Sequence, residues 1–331
     1  MKLSIIIPVF NRPDEVEELL QSLVSQESKN FEVIIVEDGS QFPCKEVVEK
    51  FNSRLDISYY WKNNSGPGQS RNFGIEKANG DFYIFVDSDC VLPAHYMNTV
   101  YNFIITNKVE CFGGPDKAHE SFTAVQKAIS YSMTSFLTTG GIRGGNKKVI
   151  KFHPRSFNMG FSQAVYKSTK GYSTMRFGED IDLSIRIEKA GFTCHLIEDA
   201  YVFHKRRTDF KKFYKQIFNS GIARINLFKL HPGSLKLTHF FPSFFLVGLI
   251  ISLATLIIFK SYFLIICYFA YLSILLLNAT LMYQSVYIGM LSVVATLVQM
   301  FAYGTGFIKS FFYRIILNKP EFKAFSKNFY S

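Results

Sequence analysis

Short apolar runs and longer amphipathic stretches alternate along the first hundred residues of the chain. Continuous apolar runs that end at turn residues predict buried strands at 3–9, 31–36, 57–61 and 82–86. Apolar residues at helical spacing predict helices between and after them, at 14–25, 47–51, 70–78 and 96–105. This alternation is typical of an α/β domain with a mostly parallel sheet, in which ligands bind at the carboxyl ends of the strands.

Long apolar runs replace this alternation after residue 239. Lys260 is the only charged residue from 240 to 308, and the windows 242–259, 262–283 and 286–308 each approach the ~20 residues that cross a bilayer. We therefore expect a membrane region of two or three spans. Basic segments flank this region, and basic segments tend to stay cytoplasmic. Three spans would separate them, so either one segment is re-entrant or interfacial, or the tail lies outside.

A basic amphipathic segment precedes the apolar runs. Residues 208–228 carry an aromatic and aliphatic stripe, and their basic residues fall elsewhere on the helical wheel. This pattern predicts a helix in the plane of the lipid headgroups, with a helix packed on the protein as the alternative. The chain thus divides into an α/β domain (1–206), an interfacial segment (207–239), transmembrane helices (240–310) and a basic tail (311–331).

The net charge of +11 comes entirely from the part of the chain after residue 203. Residues 1–203 hold 24 acidic and 22 basic side chains, whereas residues 204–239 hold nine basic side chains and one acidic one. A basic excess beside membrane spans favours membrane lipids, and not nucleic acid, as the partner. The N-terminus lacks the long apolar core of a secretion signal. We expect a multi-pass protein of the inner (plasma) membrane with a cytoplasmic first domain.

Composition excludes two further classes of protein. Aromatic residues make up 16% of the chain, which excludes a disordered protein. The five cysteines include no CxxC pair and are too few for a disulfide scaffold. The abundance of Phe, Lys, Ile, Asn and Tyr suits an AT-rich bacterial genome.

Two aspartates, with one residue between them, follow a predicted strand. Asp87 and Asp89 end the strand at 82–86, and carboxylates at this spacing on a turning strand end can bind one cation. Hard divalent ions such as Mg²⁺ or Mn²⁺ prefer oxygen ligands and share them with phosphates. His204 follows a later strand-like segment and can complete a metal shell or contact a phosphate, although a lone histidine is more often structural.

Two other motifs lie where a nucleotide could bind. Glu37 and Asp38 end the second strand and can accept hydrogen bonds from a ribose or a base, or simply form a turn. The stretch 65–74 is a glycine loop that leads into a helix, where Arg71 can reach a base or a phosphate. A second glycine-rich stretch, 139–148, is either a lid over the site or a surface loop.

Three acidic residues open a helix near residue 180. Glu179, Asp180 and Asp182 lie in its first turn, where the helix dipole favours acids. Capping accounts for one acid, and three are more than capping needs. One of them can therefore be a general base that takes a proton from an attacking hydroxyl.

In this order and at these spacings, the motifs resemble the family 2 glycosyltransferases of GT-A fold. The segments that carry the resemblance are SIIIPVFNR, VEDGS, SGPGQSRNFGI, GDFYIFVDSD and FGEDIDLSIRIEKAGF. Residues 157–161 and 171–172 are similar to the acceptor-side segment of that family. The resemblance covers about residues 3–206 and implies a GT-A-like nucleotide-sugar-binding domain.

The resemblance implies an inverting transferase that uses a nucleotide-sugar donor, by default a UDP-sugar, and a divalent metal (Mg²⁺ or Mn²⁺). The donor's nucleoside would be held by Pro8, Val9, Phe10, Asn11, Asp38 and Arg71. Asp87 would bind ribose and metal, Asp89 would be the direct metal ligand, and His204 would complete the metal shell. Asp180 would be the catalytic base, with Glu179 and Asn158 on the acceptor side.

Two departures from related patterns narrow the reaction. Processive members carry Gln-x-x-Arg-Trp on a helix near the membrane, but Gln216 here is followed by Ile-Phe-Asn-Ser. A single-addition enzyme is therefore favoured, with a hydroxyl of a lipid-linked or membrane glycan as acceptor. A polyprenyl-phosphate sugar synthase is the alternative. A non-catalytic membrane scaffold is disfavoured because Asp89 and Asp180 are both present.

Overall fold

The computed structural model describes residues 1–117, 119, 122–140, 152–205 and 207–322. Most of the predicted lid at 139–148 and the last part of the predicted basic tail, 323–331, lie outside the described residues. The described chain forms two compact units. The first contains residues 1–117, 119 and 152–205, and the second contains residues 122–140 and 207–322.

The first unit is built on two sheets. Its strands are β1 Leu3–Val9, β2 Phe31–Asp38, β3 Ile57–Lys62, β4 Phe82–Val86, β5 Cys90–Val91, β6 Cys111–Gly113, β7 Asp116–Lys117, β8 Asn158–Ser162, β9 Cys194–Leu196 and β10 Val202–His204. Its helices are α1 Pro13–Val24, α2 Lys45–Glu49, α3 Pro67–Lys77, α4 Tyr96–Asn107, α7 Gln163–Thr169 and α8 Glu179–Lys189. The second unit contains α5 Ala124–Thr134, α6 Phe136–Thr139, α9 Phe210–Leu230, α10 Phe241–Phe259, α11 Phe263–Tyr283 and α12 Val286–Phe311.

The main sheet confirms the predicted mostly parallel α/β architecture. Its strand order is β3-β2-β1-β4-β8-β6-β9, with β1 parallel to both β2 and β4. The exception is β8, which runs antiparallel to β4 and β6. A second, three-stranded sheet has the order β5-β10-β7.

Helices cover both faces of the central strands. Successive strand residues point to opposite faces, so Ile5 and Ile7 pack with Leu19 of α1, while Ile6 packs with Ile75 of α3. These side chains are almost fully buried, as expected for a parallel sheet between two helix layers. The carboxyl ends of β1, β2 and β4 therefore open at one edge of a rigid core.

The second unit is organised around α12. Two residues of the apolar stripe of α9, Phe213 and Ile217, are buried against α5 and α12, while Tyr214 of the same stripe is exposed. Glycines explain this close packing. A Cβ on Gly221 would lie 2.4 Å from the carbonyl oxygen of Tyr303, and one on Gly306 would lie 2.3 Å from that of Phe218.

Three helices of this unit are long and apolar enough to cross a bilayer, at Phe241–Phe259, Phe263–Tyr283 and Val286–Ile316. The last of these includes a π-helical extension of α12. One polar contact inside the bundle joins α5 to α11: Tyr131 of α5 donates a 2.7 Å hydrogen bond to the side-chain oxygen of Asn278. Such pairing is expected where lipid offers polar groups no partner.

The close contact between α3 and β1 gives a stability prediction. A Cβ on Gly74 would lie 2.4 Å from Cγ2 of Ile6. We expect Gly74→Ala to lower the free energy of unfolding by about 1–3 kcal/mol through overpacking, although alanine favours helix. Thermal unfolding of the full chain in detergent measures this effect. Glu76→Ala, at an exposed position of the same helix, is the control, and equal midpoints for both variants would contradict the prediction.

Candidate active site

The loops after β1 and β2 are joined by one asparagine. Asn11 adopts the left-handed conformation (φ 53°), which asparagine tolerates better than most residues. Its backbone N–H donates to Ser40 Oγ at 2.7 Å, and its side-chain oxygen accepts from the N–H groups of Gln41 (2.7 Å) and Phe42 (3.1 Å). Pro8 and Val9 end β1 at this edge, and Phe10 follows them. The predicted nucleoside-binding segment is thus held in a fixed turn.

The acids that end β2 are buried and hydrogen-bonded. Asp38 accepts hydrogen bonds from Lys62 Nζ (2.6 Å) and from the backbone N–H groups of Ser65 (2.9 Å) and Gly66 (2.8 Å). These bonds fix the glycine loop that precedes α3. Glu37 accepts a 2.7 Å hydrogen bond from the N–H of Cys44, which marks it as a structural acid.

Arg71 is fully buried and bridges two acids. Its guanidinium donates to Asp87 Oδ1 at 2.6 Å and to Glu179 Oε1 at 3.3 Å. The same group lies over the ring of Tyr172, 5.2 Å from the ring centroid. One side chain therefore connects the end of β4 to the start of α8, although Asp87 and Glu179 are 92 residues apart along the chain.

Asn72 and Gly68 keep α3 close to α8 and to the loop that precedes α8. Asn72 donates to the carbonyl of Tyr172 and accepts from its N–H, both at 2.8 Å. A Cβ on Gly68 would lie 3.4 Å from Cγ of Glu179, so a larger residue would crowd this contact. The motif SGPGQSRN thus folds into a helix start that positions the acidic turn of α8.

The three acids of α8 have different surroundings. Burial and the nearby Asp180 raise the pKa of Glu179 to about 7, and Arg71 opposes this rise. Asp180 is partly exposed, with Oδ2 3.3 Å from a guanidinium nitrogen of Arg155. The carboxylate of Asp182 instead accepts two hydrogen bonds from Arg186 of the same helix, at 3.0 and 2.9 Å. Asp180 is therefore the acid of this turn that is best placed to meet a substrate.

Asp89 lies between a cation and an imidazole. Its Oδ2 is paired with Arg12, and its Oδ1 lies 3.1 Å from His204 Nε2. The antiparallel pairing of β5 with β10 sets His204 opposite Cys90, which brings the histidine beside the aspartate. The ring of His204 stacks on Phe157, with centroids 4.7 Å apart.

This group meets several requirements of a divalent metal site. Asp89, Cys90 and His204 offer ligand atoms that lie within 4.8 Å of one another. Two cis ligands of an octahedral ion, each bound at ~2.1 Å, are separated by about 3 Å, which matches the carboxylate–imidazole distance. Mn²⁺ accepts both ligand types, whereas a thiol is a poor ligand for it. Asp89 and His204 therefore fit a metal, while Asp87 is held by Arg71.

Asn158 has the contacts of a structural residue. Its side chain is buried, accepts from the hydroxyl of Tyr96 at 2.7 Å and donates to the carbonyl of Ala200 at 2.8 Å. It thereby links α4 to the segment before β10. Its acceptor-side role stays a prediction, as do the individual roles of the other candidate residues.

Sequence reasoning missed three cations of this site: Arg12, Lys62 and Arg155. Arg12 directly follows the segment that ends β1, and Lys62 ends β3. Both therefore lie at the carboxyl edge of the sheet, and this position could have identified them as site residues from the sequence. Arg155 lies outside any motif, and its pairing with Asp180 could not be read from local sequence.

The raised pKa of Glu179 gives a prediction about pH. Between about 4.5 and 7 the folded state binds more protons than the unfolded state, so this acid's contribution to stability is lost as pH rises through 7. We expect the free energy of unfolding to fall across that window, because burial and the neighbouring Asp180 favour the protonated acid in the folded state. Unfolding of the wild type and Glu179→Gln should be compared from pH 4.5 to 8. Parallel stability curves would contradict the prediction.

The Asp89–His204 pair gives a prediction about metal binding. Removing a ligand should weaken Mn²⁺ binding by about tenfold or more, because ligand and outer-shell losses act on this scale. Titration calorimetry of the full chain in detergent, without nucleotide, measures the effect for Asp89→Asn and His204→Ala. His195→Ala, at an exposed position in β9, is the matched control. Unchanged affinity in Asp89→Asn would remove this pair as the metal site.

Comparison with known proteins identifies the family. Residues 4–168 match the family model described as glycosyl transferase family 2. An uncharacterized glycosyltransferase of Haemophilus influenzae is 31% identical over 223 residues, which is 62% of this chain and 70% of that protein. A GalNAc(5)-diNAcBac-PP-undecaprenol beta-1,3-glucosyltransferase of Campylobacter jejuni is 24% identical over 246 residues, covering 71% of this chain and 72% of that protein.

Other similarities are more local or concern the fold alone. The poly(ribitol-phosphate) beta-N-acetylglucosaminyltransferase TarS of Staphylococcus aureus is 40% identical over 108 residues, 31% of this chain but only 19% of that longer protein. Its residues 1–349, solved with UDP-GlcNAc, align with a TM-score of 0.51 and 22% identity over 68% of this chain and 67% of that one.

The mannosyltransferase PcManGT from Pyrobaculum calidifontis, solved with GDP-Man and Mn²⁺, has a TM-score of 0.62 at 14% identity. The alignment covers 92% of this chain and 87% of that one, and at this identity it supports the fold alone. The family match and the Haemophilus relative, together with the fold, show that this chain belongs to glycosyl transferase family 2.

Proposed function

We propose that this chain is an inverting, metal-dependent glycosyltransferase that moves a sugar from a UDP-sugar to a hydroxyl of a membrane-associated glycan or glycolipid. One observation carries the proposal: buried Arg71 joins Asp87, at the end of β4, to Glu179, which directly precedes Asp180. The strand end that suits a donor and the helix turn that suits an acceptor thereby belong to one site.

The donor side of the proposal rests on the carboxyl edge of the sheet. Asp38 and the turn held by Asn11 would contact the nucleoside, and Asp87 the ribose, while Arg71 keeps Asp87 in place. Asp89 and His204 would hold a divalent metal, which neutralises charge on the leaving diphosphate. The nucleotide-sugar complexes of TarS and PcManGT support a donor of this class.

The acceptor side rests on Asp180. A carboxylate oxygen of Asp180 would take the proton from the acceptor hydroxyl as that oxygen bonds to the anomeric carbon. Attack opposite the bond to the nucleoside diphosphate inverts the anomeric centre. Arg155, 3.3 Å from this carboxylate, would orient it, and the nearly buried Glu179 would contribute position and not proton transfer.

A membrane acceptor is supported by two independent features. Three helices are long and apolar enough to cross a bilayer. The Campylobacter relative, by its name, acts on a saccharide linked to undecaprenol through a diphosphate. Both suit a multi-pass protein of the inner membrane whose acceptor is lipid-linked.

The proposal predicts different effects for two neighbouring acids. Asp180→Asn should lower kcat by about 10²–10⁴-fold, the range of a lost general base, with little change in the thermal midpoint. Asp182→Asn breaks the ion pair with Arg186 and should lower the thermal midpoint while kcat is retained at a permissive temperature. Release of nucleoside diphosphate from a panel of nucleotide-sugars, with Mn²⁺ and membrane lipid extract, measures both.

The same assay distinguishes the alternatives. A phosphate acceptor is already ionised and needs no base, so full activity of Asp180→Asn would favour a polyprenyl-phosphate sugar synthase. Binding of nucleotide without turnover of any donor would favour a non-catalytic membrane scaffold. Stimulation by lipid extract and loss of activity in Asp180→Asn support the proposed reaction.

A further inference from the structure

The length of α10 suits a helix that crosses the bilayer, but its contacts do not. At its start, a Cβ on Gly304 of α12 would lie 2.7 Å from both the carbonyl oxygen of Pro242 and Cδ1 of Leu246. The rings of Phe240 and Phe307 lie 5.1 Å apart. The beginning of α10 is therefore fixed beside the part of α12 near residue 304.

The beginning of α11 lies at this same end of α12. Tyr268 of α11 donates a 2.7 Å hydrogen bond to the carbonyl of Phe245, one residue before Leu246. Phe263, where α11 starts, is only five residues from Tyr268, or about 8 Å along a helix. The other end of α11 lies beside the start of α12, because a Cβ on Gly289 would lie 2.1 Å from Thr280 Oγ1. The pair α11–α12 is therefore an antiparallel hairpin.

Chain connectivity then fixes where α10 ends. Only residues 260–262 separate the last residue of α10 from the first residue of α11, and four extended peptide steps span at most about 14 Å. If α10 ran across the bilayer beside α12, its 19 residues would end about 27 Å from its start. Its end would then lie near the 284–285 turn, too far from Phe263 for this linker. Both ends of α10 therefore lie at one end of the hairpin.

Charge identifies that end of the hairpin. Lys260 follows α10 directly, and Lys309, Arg314 and Lys319 follow the contact of α12 with α10. Basic α9 lies along the same part of α12, with Ser310 Oγ donating to the carbonyl of Ile222. The turn at the opposite end, Gln284-Ser285, carries no charge. By the positive-inside tendency, the end that holds α10 is cytoplasmic.

We propose that only α11 and α12 cross the bilayer, and that α10 lies in the membrane plane on the cytoplasmic side with its apolar surface in the lipid leaflet. The exposed side chains of α10 suit that partner: Ile250, Ile251, Ile257, Ile258 and Phe259 are large and apolar. Two crossings bring every basic segment to one side, which three crossings would not do. This inference rests on the membrane location proposed above.

Labelling with a membrane-impermeant maleimide tests the arrangement. Cysteines are introduced one at a time at Lys260, Gln284 and Asn318 of the protein that carries Cys194→Ser and Cys267→Ser, since Cys44, Cys90 and Cys111 are buried. Intact cells are compared with permeabilised cells, and the protein without an introduced cysteine is the control. We expect Gln284→Cys to be labelled in intact cells, and Lys260→Cys and Asn318→Cys only after permeabilisation. Labelling of Lys260→Cys but not Gln284→Cys in intact cells would overturn the proposal in favour of three spans.

Two further outcomes distinguish a failure of the two-span arrangement from a failure of the proposed membrane location. If the protein resists alkaline carbonate extraction but Gln284→Cys stays protected in intact cells, the hairpin does not cross and the inference fails. If carbonate releases the protein, the proposed membrane location itself fails.

A depth measurement provides an independent test. Nitroxide labels at residues 250 and 257 should report equal, shallow depths in vesicles if α10 lies in the plane, whereas a spanning helix would separate them by about 10 Å. A depth difference of that size would also overturn the proposal.

Discussion

The charge of one buried guanidinium is the constraint on which the candidate site depends. Arginine stays protonated at any physiological pH, so burying Arg71 requires acidic partners. Asp87 and Glu179 supply them from two elements that are far apart in sequence. Closing this cluster holds the end of β4 against the first turn of α8. The geometry of both sides of the site therefore follows from satisfying a single cation.

Arg12 gives Asp89 a different environment from that of Asp87. Asp87 faces buried Arg71, whereas Asp89 faces Arg12 and His204. In a continuing strand, residues two positions apart would share one face, but residues 88 and 89 lie in a turn after β4, so the two acids meet different partners. A metal bound by Asp89 and His204 would share the carboxylate with Arg12, so a cation of the protein itself would lower the affinity of that site.

The sequence predicted the first four strands and the helices around them because their apolar runs are continuous and end at turn residues. It did not predict β6, β8 and β9 as members of the same sheet. These strands are three to five residues long, and their pairing depends on partners that are distant in the chain. Residue type and strand-end position were enough to select Asp87 and Asp89, whereas the choice of Asp180 among three acids rested on the family resemblance. The pairings of Arg155 with Asp180 and of Arg12 with Asp89 are created only by the tertiary fold.

The amphipathic helix α9, which precedes the three long apolar helices, shows a different limit. A stripe of apolar residues indicates that one face of α9 is buried, and both lipid and protein can bury it. The glycines that allow α12 to approach, Gly221 and Gly306, carry no signal of their own in the sequence. The protein contacts of Phe213 and Ile217 could therefore be seen only in the structure.

The small sheet β5-β10-β7 has a thermodynamic consequence. It joins strands of only two or three residues, whereas β1 and β2 of the main sheet have seven and eight. Few hydrogen bonds join its strands, so we expect its local opening free energy to lie below that of the main sheet, although Cys90 and Val202 pack into the core. Asp89 precedes one of these strands and His204 ends another. Backbone fluctuations can therefore separate the two side chains and bring them together again while the rest of the domain stays folded.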